Sequence, residues 1–306
     1  MADRSPVDPN SDGENLRHAV PGEAARSEMG CELRRTRLLV RSAATASLSE
    51  AEFVRRVRLG GVAMWPSGRH PSGVITRYRV ELGIGSGKDC ADTDLGGDLV
   101  LPVLRGDWAT GGHASAQAVV EWRGLRRPYW ADREKLELSD PAVWPRLFSA
   151  ANAFNRHLAH LARSDHDEWA WAARRLAGLC AAWSLRAESA SGRTPFADTC
   201  AELAQSAELV TSPLRRIRDR PGLGRVAYVL TQLISGVDPP RELLLLLVQV
   251  LGAMEMIATA HRARGELARS RHIHDAMGPL EALCPIFYAR AVQQPPSSRR
   301  RGRRSP

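Results

Sequence analysis

Residues 40–82 read VRSAATASLSEAEFVRRVRLGGVAMWPSGRHPSGVITRYRVEL, and residues 95–108, after a Gly-rich spacer, read LGGDLVLPVLRGDW. Ser47 or Ser49 is placed to cap a short helix, with Glu50 or Glu52 three residues on. Phe53, Val54 and Val57 give that helix an apolar face, while Arg55, Arg56 and Arg58 point elsewhere. Gly60-Gly61 stops it. Two β-prone runs follow, 62–65 and 74–82, joined by a loop rich in Pro and Gly. The second run sets Val74, Thr76, Tyr78 and Val80 against Ile75, Arg77, Arg79 and Glu81, the pattern of a strand with one buried and one charged face.

Further along, a helix is expected near residues 113–123, and a Trp/Pro-bearing connection covers 124–139. Asp140-Pro141 starts a helix to about Arg163, and the acidic run 165–168 caps the next one. In that helix Trp169, Ala172, Leu176, Leu179 and Trp183 form a stripe at spacings of three and four. Helices follow over 195–210, 224–235 and from 239 to about 283, the last broken near Gly265. The fold class is therefore α+β: a small helix–β-hairpin–helix module followed by a mainly α-helical bundle, with disordered termini. The boundaries read 1–38 for a disordered segment, 39–124 for the module, 125–291 for the bundle and 292–306 for a disordered Arg-rich tail.

The 306 residues suffice for a sizeable core. The net charge of +9 comes from 41 Arg and two Lys against 34 acids, but it is local. No acid follows Glu281, while Arg290, Arg299, Arg300, Arg301, Arg303 and Arg304 do, so the basic balance describes the tail more than the body. Five scattered cysteines without a CxxC pair read as reduced, buried thiols of a cytosolic protein. The polar N-terminus has no signal-peptide core. Residues 243–260 are apolar over about one membrane thickness. Gln249 and Glu255 interrupt that run, and Asp238-Pro239-Pro240 starts it as a soluble helix starts, so a buried bundle helix without membrane insertion is expected.

The segment 50–105 resembles the accessory region that follows the catalytic domain in plasmid relaxases (mobilisation nucleases) of high-GC Gram-positive bacteria. The likeness rests on residues 50–58 (EAEFVRRVR), 74–82 (VITRYRVEL) and 98–105 (DLVLPVLR). The chain departs from that pattern at Arg77, where the family favours Gly, and around residues 90–94. The resemblance implies a protein that works beside DNA. A relaxase of this kind nicks with an N-terminal Tyr and a His-held metal. Only about 40 residues precede the matching segment, with no Tyr and only His18. The expectation is an accessory half without the catalytic domain, with no catalytic residues, cofactor or metal.

Other chemistry reads weakly. Gly83-Ile84-Gly85-Ser86-Gly87-Lys88 lacks the early Gly of a phosphate loop, and Asp89 stands where Ser or Thr is needed, so it reads as a hairpin exit. His272-Ile273-His274 falls in helical spacing, which turns the two imidazoles apart. Trp65 is the one tryptophan placed to stack on an unpaired base. The arginine clusters carry the functional expectation. Arg34, Arg35, Arg37 and Arg41 precede the short helix, and the candidate DNA contacts are Arg55, Arg56, Arg58, Arg77, Arg79, Lys88 and the tail's Arg299, Arg300, Arg301, Arg303 and Arg304. A cytoplasmic, non-catalytic mobilisation accessory protein is expected, contacting DNA or a catalytic relaxase supplied in trans. A protein–protein interaction module, or a truncated relaxase remnant without DNA affinity, is the alternative.

Overall fold

The computed structural model describes residues 21–70, 74–83, 85–108, 112–124, 142–187, 194–208, 220–232 and 240–293. The connection at 124–139, the caps at Asp140-Pro141 and Asp238-Pro239, and the tail arginines 299–304 thus lie wholly or almost wholly outside the described residues.

The N-terminal helix α1 (Pro21–Ala46) changes the expected boundaries. Residues 21–38, read as disordered, are helical and run straight into the stretch where Leu38, Val40, Ala43 and Ala44 are buried against the rest of the chain. Helix α2 (Glu50–Leu59) begins at Ser49, whose hydroxyl accepts the Glu52 amide at 3.2 Å, while the Glu52 carboxylate accepts the Leu48 amide at 2.9 Å. Its end is at Gly60-Gly61, with Gly61 at φ 83°, a conformation costly for any residue with a Cβ.

A three-stranded antiparallel sheet follows in the order β1 (Met64–Arg69), β2 (Ile75–Glu81), β3 (Asp89–Ala91). The first strand is shifted from the expected 62–65 and runs through Pro66 and Gly68. This works because β1 is an edge strand, where a missing amide costs little, and because its register slips at Gly68. The slip also breaks the expected alternation in β2. Tyr78 and Val80 are buried and Arg77 and Arg79 face out, but Ile75, assigned to the charged face, is buried. The third strand was not expected; Cys90 pairs with Val80 across it.

A short helix α3 (Asp92–Leu95), a 3-10 turn (Gly97–Leu99), α4 (Leu101–Arg105) and α5 (Gly112–Trp122) complete the module. Phe53 centres its core, with its ring 5.7 Å from Tyr78 and 5.1 Å from Trp108. The Tyr78 hydroxyl donates to the Leu99 carbonyl at 2.8 Å.

The bundle comprises α6 (Val143–His160), α7 (His166–Ala187), α8 (Pro195–Ala207), α9 (Gly224–Gln232), α10 (Pro240–Ala263), α11 (Leu267–Glu281) and α12 (Cys284–Gln293). Asp165 caps α7 by accepting the Glu168 amide at 3.2 Å. The stripe expected on α7 is only part of what it hides: every residue from Glu168 to Ser184 is buried. It is the central helix, with α1, α8 and α9 packed on it. The break near Gly265 separates α10 from α11, with Gly265 at φ 79°. One helix, Arg241–Ala263, is long and apolar enough to cross a membrane by length and composition; half of its apolar window is buried inside the protein. The cysteines are free, with Cys90, Cys180 and Cys200 buried, Cys284 half-buried and Cys31 exposed.

Module and bundle have separate hydrophobic cores, yet they are joined tightly. Helix α1 lends residues to both. At Gly178 of α7 a Cβ would lie 1.9 Å from the Thr45 hydroxyl oxygen, so glycine is what lets the two helices touch. Buried ion pairs close the seam. Arg174 of α7 holds Asp107 through two bonds of 2.9 and 3.1 Å, and Arg175 donates to the Thr45 carbonyl at 2.6 Å. Arg41 of α1 holds Asp98 through two bonds of 2.8 Å and reaches the Cys200 sulfur of α8 at 3.8 Å.

Candidate nucleic-acid interface

Arginine has a fixed charge and a planar fork of donors, so its fate depends on which acceptors the fold brings to it. On α2 the candidates turn inward. Arg58 donates to the Glu121, Met64 and Trp122 carbonyls at 2.5, 3.0 and 3.3 Å, closing the C-terminal end of α5 over the start of β1. Burial lowers the pKa of its guanidinium, and Glu121 offsets part of that. Arg55 lies 3.5 Å from the Glu121 carboxylate. Arg56 sits 4.1 Å over the Tyr228 ring of α9 and 4.0 Å from Glu52, so it ties the module to the bundle. These three hold the fold together. Arg41, counted among the charges before α2, is fully buried: burial opposes its charge, but Asp98 outweighs that and raises its pKa.

The outer face of the sheet is different. Trp65 on β1 and Arg79 on β2 are direct cross-strand partners, and Arg77, two residues from Arg79, points the same way. Trp65 is 37% exposed, a large aromatic left open beside arginine. The Arg79 guanidinium pairs with Asp89 of β3, which raises the arginine pKa and lowers that of the aspartate. Both partners are substantially exposed, and such pairs exchange readily for other ions. Arg77 is tied more firmly, with Nε 3.2 Å from the buried Asp92 carboxylate and Nη2 2.9 Å from the Thr93 hydroxyl. Lys88 is exposed in the turn before β3, where Gly83, Gly85 and Gly87 all have positive φ. The fold thus brings Trp65, Arg77 and Arg79 to one face of the sheet, leaves Lys88 exposed at the neighbouring turn, and draws Arg55, Arg56 and Arg58 away.

Sequence reasoning missed the acids that sort these arginines. Asp92 lies in the segment read as a spacer and Asp98 in the 95–108 run that follows it, and both are buried. Glu50 was read as a possible cap. It instead accepts Arg105 through two bonds of 2.7 Å and the Trp122 indole N–H at 2.7 Å. An acid within an otherwise apolar run, as in DLVLPVLR, is the signal that pointed to a buried ion pair.

A second polar cluster lies in the bundle. Ser206 of α8 bonds His261 of α10 at Nε2, and Glu266 bonds the same ring at Nδ1, the order of a nucleophile–base–acid relay. Ser206 is only 3% exposed, which leaves no approach path for an acyl carbon. Arg264 also brings Nη2 within 2.9 Å of His261 Nδ1 and grips Glu266 at 2.9 and 3.2 Å. The cluster acts as a buried corner joining α8 to the α10–α11 turn. Arg264 and His261 hold the Glu266 carboxyl down to about 2, while burial lowers the His261 pKa. His272 and His274 stand apart on α11, with Ile273 buried between them, and face Glu202 at 3.7 Å and Glu255 at 3.1 Å. Among the described residues no three His, Cys, Asp or Glu gather as metal ligands.

No model of a known family, no curated protein and no solved structure matches this chain.

Proposed function

We propose that the chain is a non-catalytic, cytoplasmic accessory protein of the plasmid-mobilisation type, which contacts DNA through the open face of its three-stranded sheet. The observation that carries this reading is the exposed cross-strand pair Trp65–Arg79, with Arg77 alongside and Lys88 at the neighbouring turn. An indole offers a π-face on which any unpaired base stacks, and the cations meet the backbone phosphates on either side. Moving Arg79 from exposed Asp89 to a phosphate exchanges one weak ion pair for another contact of the same kind, so the sheet needs no rearrangement. The relaxase side of the reading rests on the motif resemblance of residues 50–105. The DNA contact rests on the sheet and needs no help from the tail.

The test is anisotropy of a labelled single-stranded oligonucleotide titrated with the full chain across a salt series. Base–aromatic stacking of about 1–3 kcal/mol predicts that Trp65→Ala weakens binding by about tenfold or more. Arg79→Ala and Lys88→Ala should each lower the log–log salt slope by about 0.7. An unaltered affinity in all three variants would remove the sheet from the interface. Absence of any salt-dependent binding would leave the protein–protein module as the reading.

A further inference from the structure

Helix α10 is enclosed by α6, α7, α11 and α12, yet one stripe of it is left open. Arg241, Leu245, Val248, Gly252 and Glu255 follow one another at alternating spacings of four and three, the seam along which helices pair, and all five are exposed. Leu245 and Val248 are 54% and 51% exposed. Among the described residues, a Cβ added at Gly252 would meet only Asn155 Nδ2, at 3.7 Å, so the stripe is recessed and open there. Beside it α6 and α10 leave a groove of about 770 Å³ whose walls include Phe148, Asn152 and Met256. The charges of the stripe are arranged about Val248: Arg241 lies seven residues before it and Glu255 seven residues after, about two turns in each direction. Arg241 gives its Nε–H to the Ala291 carbonyl at 3.3 Å, which leaves both terminal nitrogens for another acceptor. The Glu255 carboxylate accepts the Thr259 hydroxyl at 3.2 Å and stands 3.1 Å from His274 Nε2. The His274 Nδ1–H donates to the Ser270 carbonyl at 2.7 Å, so the neutral ring has no proton left for Glu255.

We infer that the protein pairs with a second copy of itself through α10, the two helices running antiparallel across a two-fold axis at Val248. Such an axis lets one stripe serve both sides of the contact, because what lies before Val248 on one copy meets what lies after it on the other. Arg241 then stands opposite Glu255 of the second copy, and the pair occurs twice, once at each end. Between them Leu245 enters the recess at Gly252 of the second copy, and Val248 packs on its own symmetry mate. Glycine weakens a helix interior, and the close approach of another helix is what it admits here. A parallel pair would instead set Arg241 on Arg241 and Glu255 on Glu255, and like charges placed together disfavour it. The charged ends fix the register while the apolar middle supplies the burial. The stripe belongs to the bundle, so this contact is independent of the sheet face and of DNA.

The test is sedimentation equilibrium of the full chain over a wide range of concentrations. The mass should rise from the 33.6 kDa of one chain towards twice that value. Val248→Glu sets two like charges together at the axis and should raise the dissociation constant by about tenfold or more. Because Val248 is half exposed, the melting temperature of the dilute, monomeric protein should stay put. Arg241→Glu and Glu255→Arg should each weaken the pair. Both changes together should restore it, since the reversed charges again meet their opposites, and only the antiparallel register gives that rescue. Trp65→Ala should dimerise as the wild type does. A single-chain mass at every concentration overturns the inference. So does an unchanged constant for Val248→Glu, which would move the contact to another face, or a double charge reversal that dimerises no better than the single ones.

Discussion

Asp98→Ala probes the seam between module and bundle most directly. Asp98 is buried and accepts Arg41 through two bonds of 2.8 Å, one to each oxygen. The guanidinium it holds is itself 6% exposed, with its remaining contact the weak acceptor Cys200 Sγ at 3.8 Å. Truncation leaves a full positive charge in a site with no other anion bonded to it. Removing one partner of a buried pair costs about 3–5 kcal/mol, a large share of a whole-domain stability of about 5–15 kcal/mol. Replacing both partners removes that penalty. Arg41→Met with Asp98→Ala keeps the apolar stem and abolishes the stranded charge, so the double variant should lose only about 1–2 kcal/mol. The assay is urea unfolding at neutral pH, followed by tryptophan fluorescence and circular dichroism. The coupling between the two sites should exceed about 2 kcal/mol. If Asp98→Ala costs less than about 1 kcal/mol, or if the double variant falls as far as the two single losses added, the pair is not buried as described.

Three further outcomes follow from the packing and the charges. Gly178→Ala sets a methyl group 1.9 Å from the Thr45 hydroxyl and 2.9 Å from the Arg41 carbonyl. The helices must part, and a loss of about 1–3 kcal/mol in thermal unfolding should outweigh the roughly 1 kcal/mol that alanine normally adds to a helix. Phe53→Ala should cost about 3–5 kcal/mol, because the ring is wholly buried between Tyr78 and Trp108; a smaller loss would show that the module core collapses to fill the space. Acid should loosen the α10–α11 corner. His261 has a folded pKa below its unfolded value of about 6.5, so the unfolded state takes up the proton first and stability falls as pH drops below that value. Glu266, held at about 2, adds stability that is present above about 4.5 and lost between there and 2. Amide exchange in α11 should therefore quicken below about pH 6.5, and His261→Gln should remove the first of these steps; an unchanged profile would place the titration elsewhere.

The expectations that agree with the structure are mostly local ones. Ser49 and Glu52 around the start of α2, Gly60-Gly61 at its end, Tyr78 and Val80 on the inner face of β2, and the break at Gly265 all depend on neighbours within about one turn or one strand. The spans of most bundle helices were legible for the same reason, but α12 (Cys284–Gln293), beyond the expected end near 283, was not foreseen. The β1 shift was not, because an edge strand tolerates Pro66 and a slip at Gly68 only when β2 is already beside it.

The fate of the arginines belonged to the tertiary structure. Nothing in the local sequence separates Arg58, which finds the carbonyls ending α5 some 63 residues on, from Arg79, which pairs with exposed Asp89. Arg41 looked like one of a surface cluster until Asp98, 57 residues later, and Cys200, 159 residues later, enclosed it. The same holds for α7, whose apolar stripe was visible in sequence while its burial on every side came from α1, α8 and α9. Helix period and turn chemistry are carried by adjacent residues and so are written in the chain. Desolvation and ion pairing are set by whatever the fold brings within a few ångströms, and only the folded molecule decides which charges remain at its surface to meet a partner.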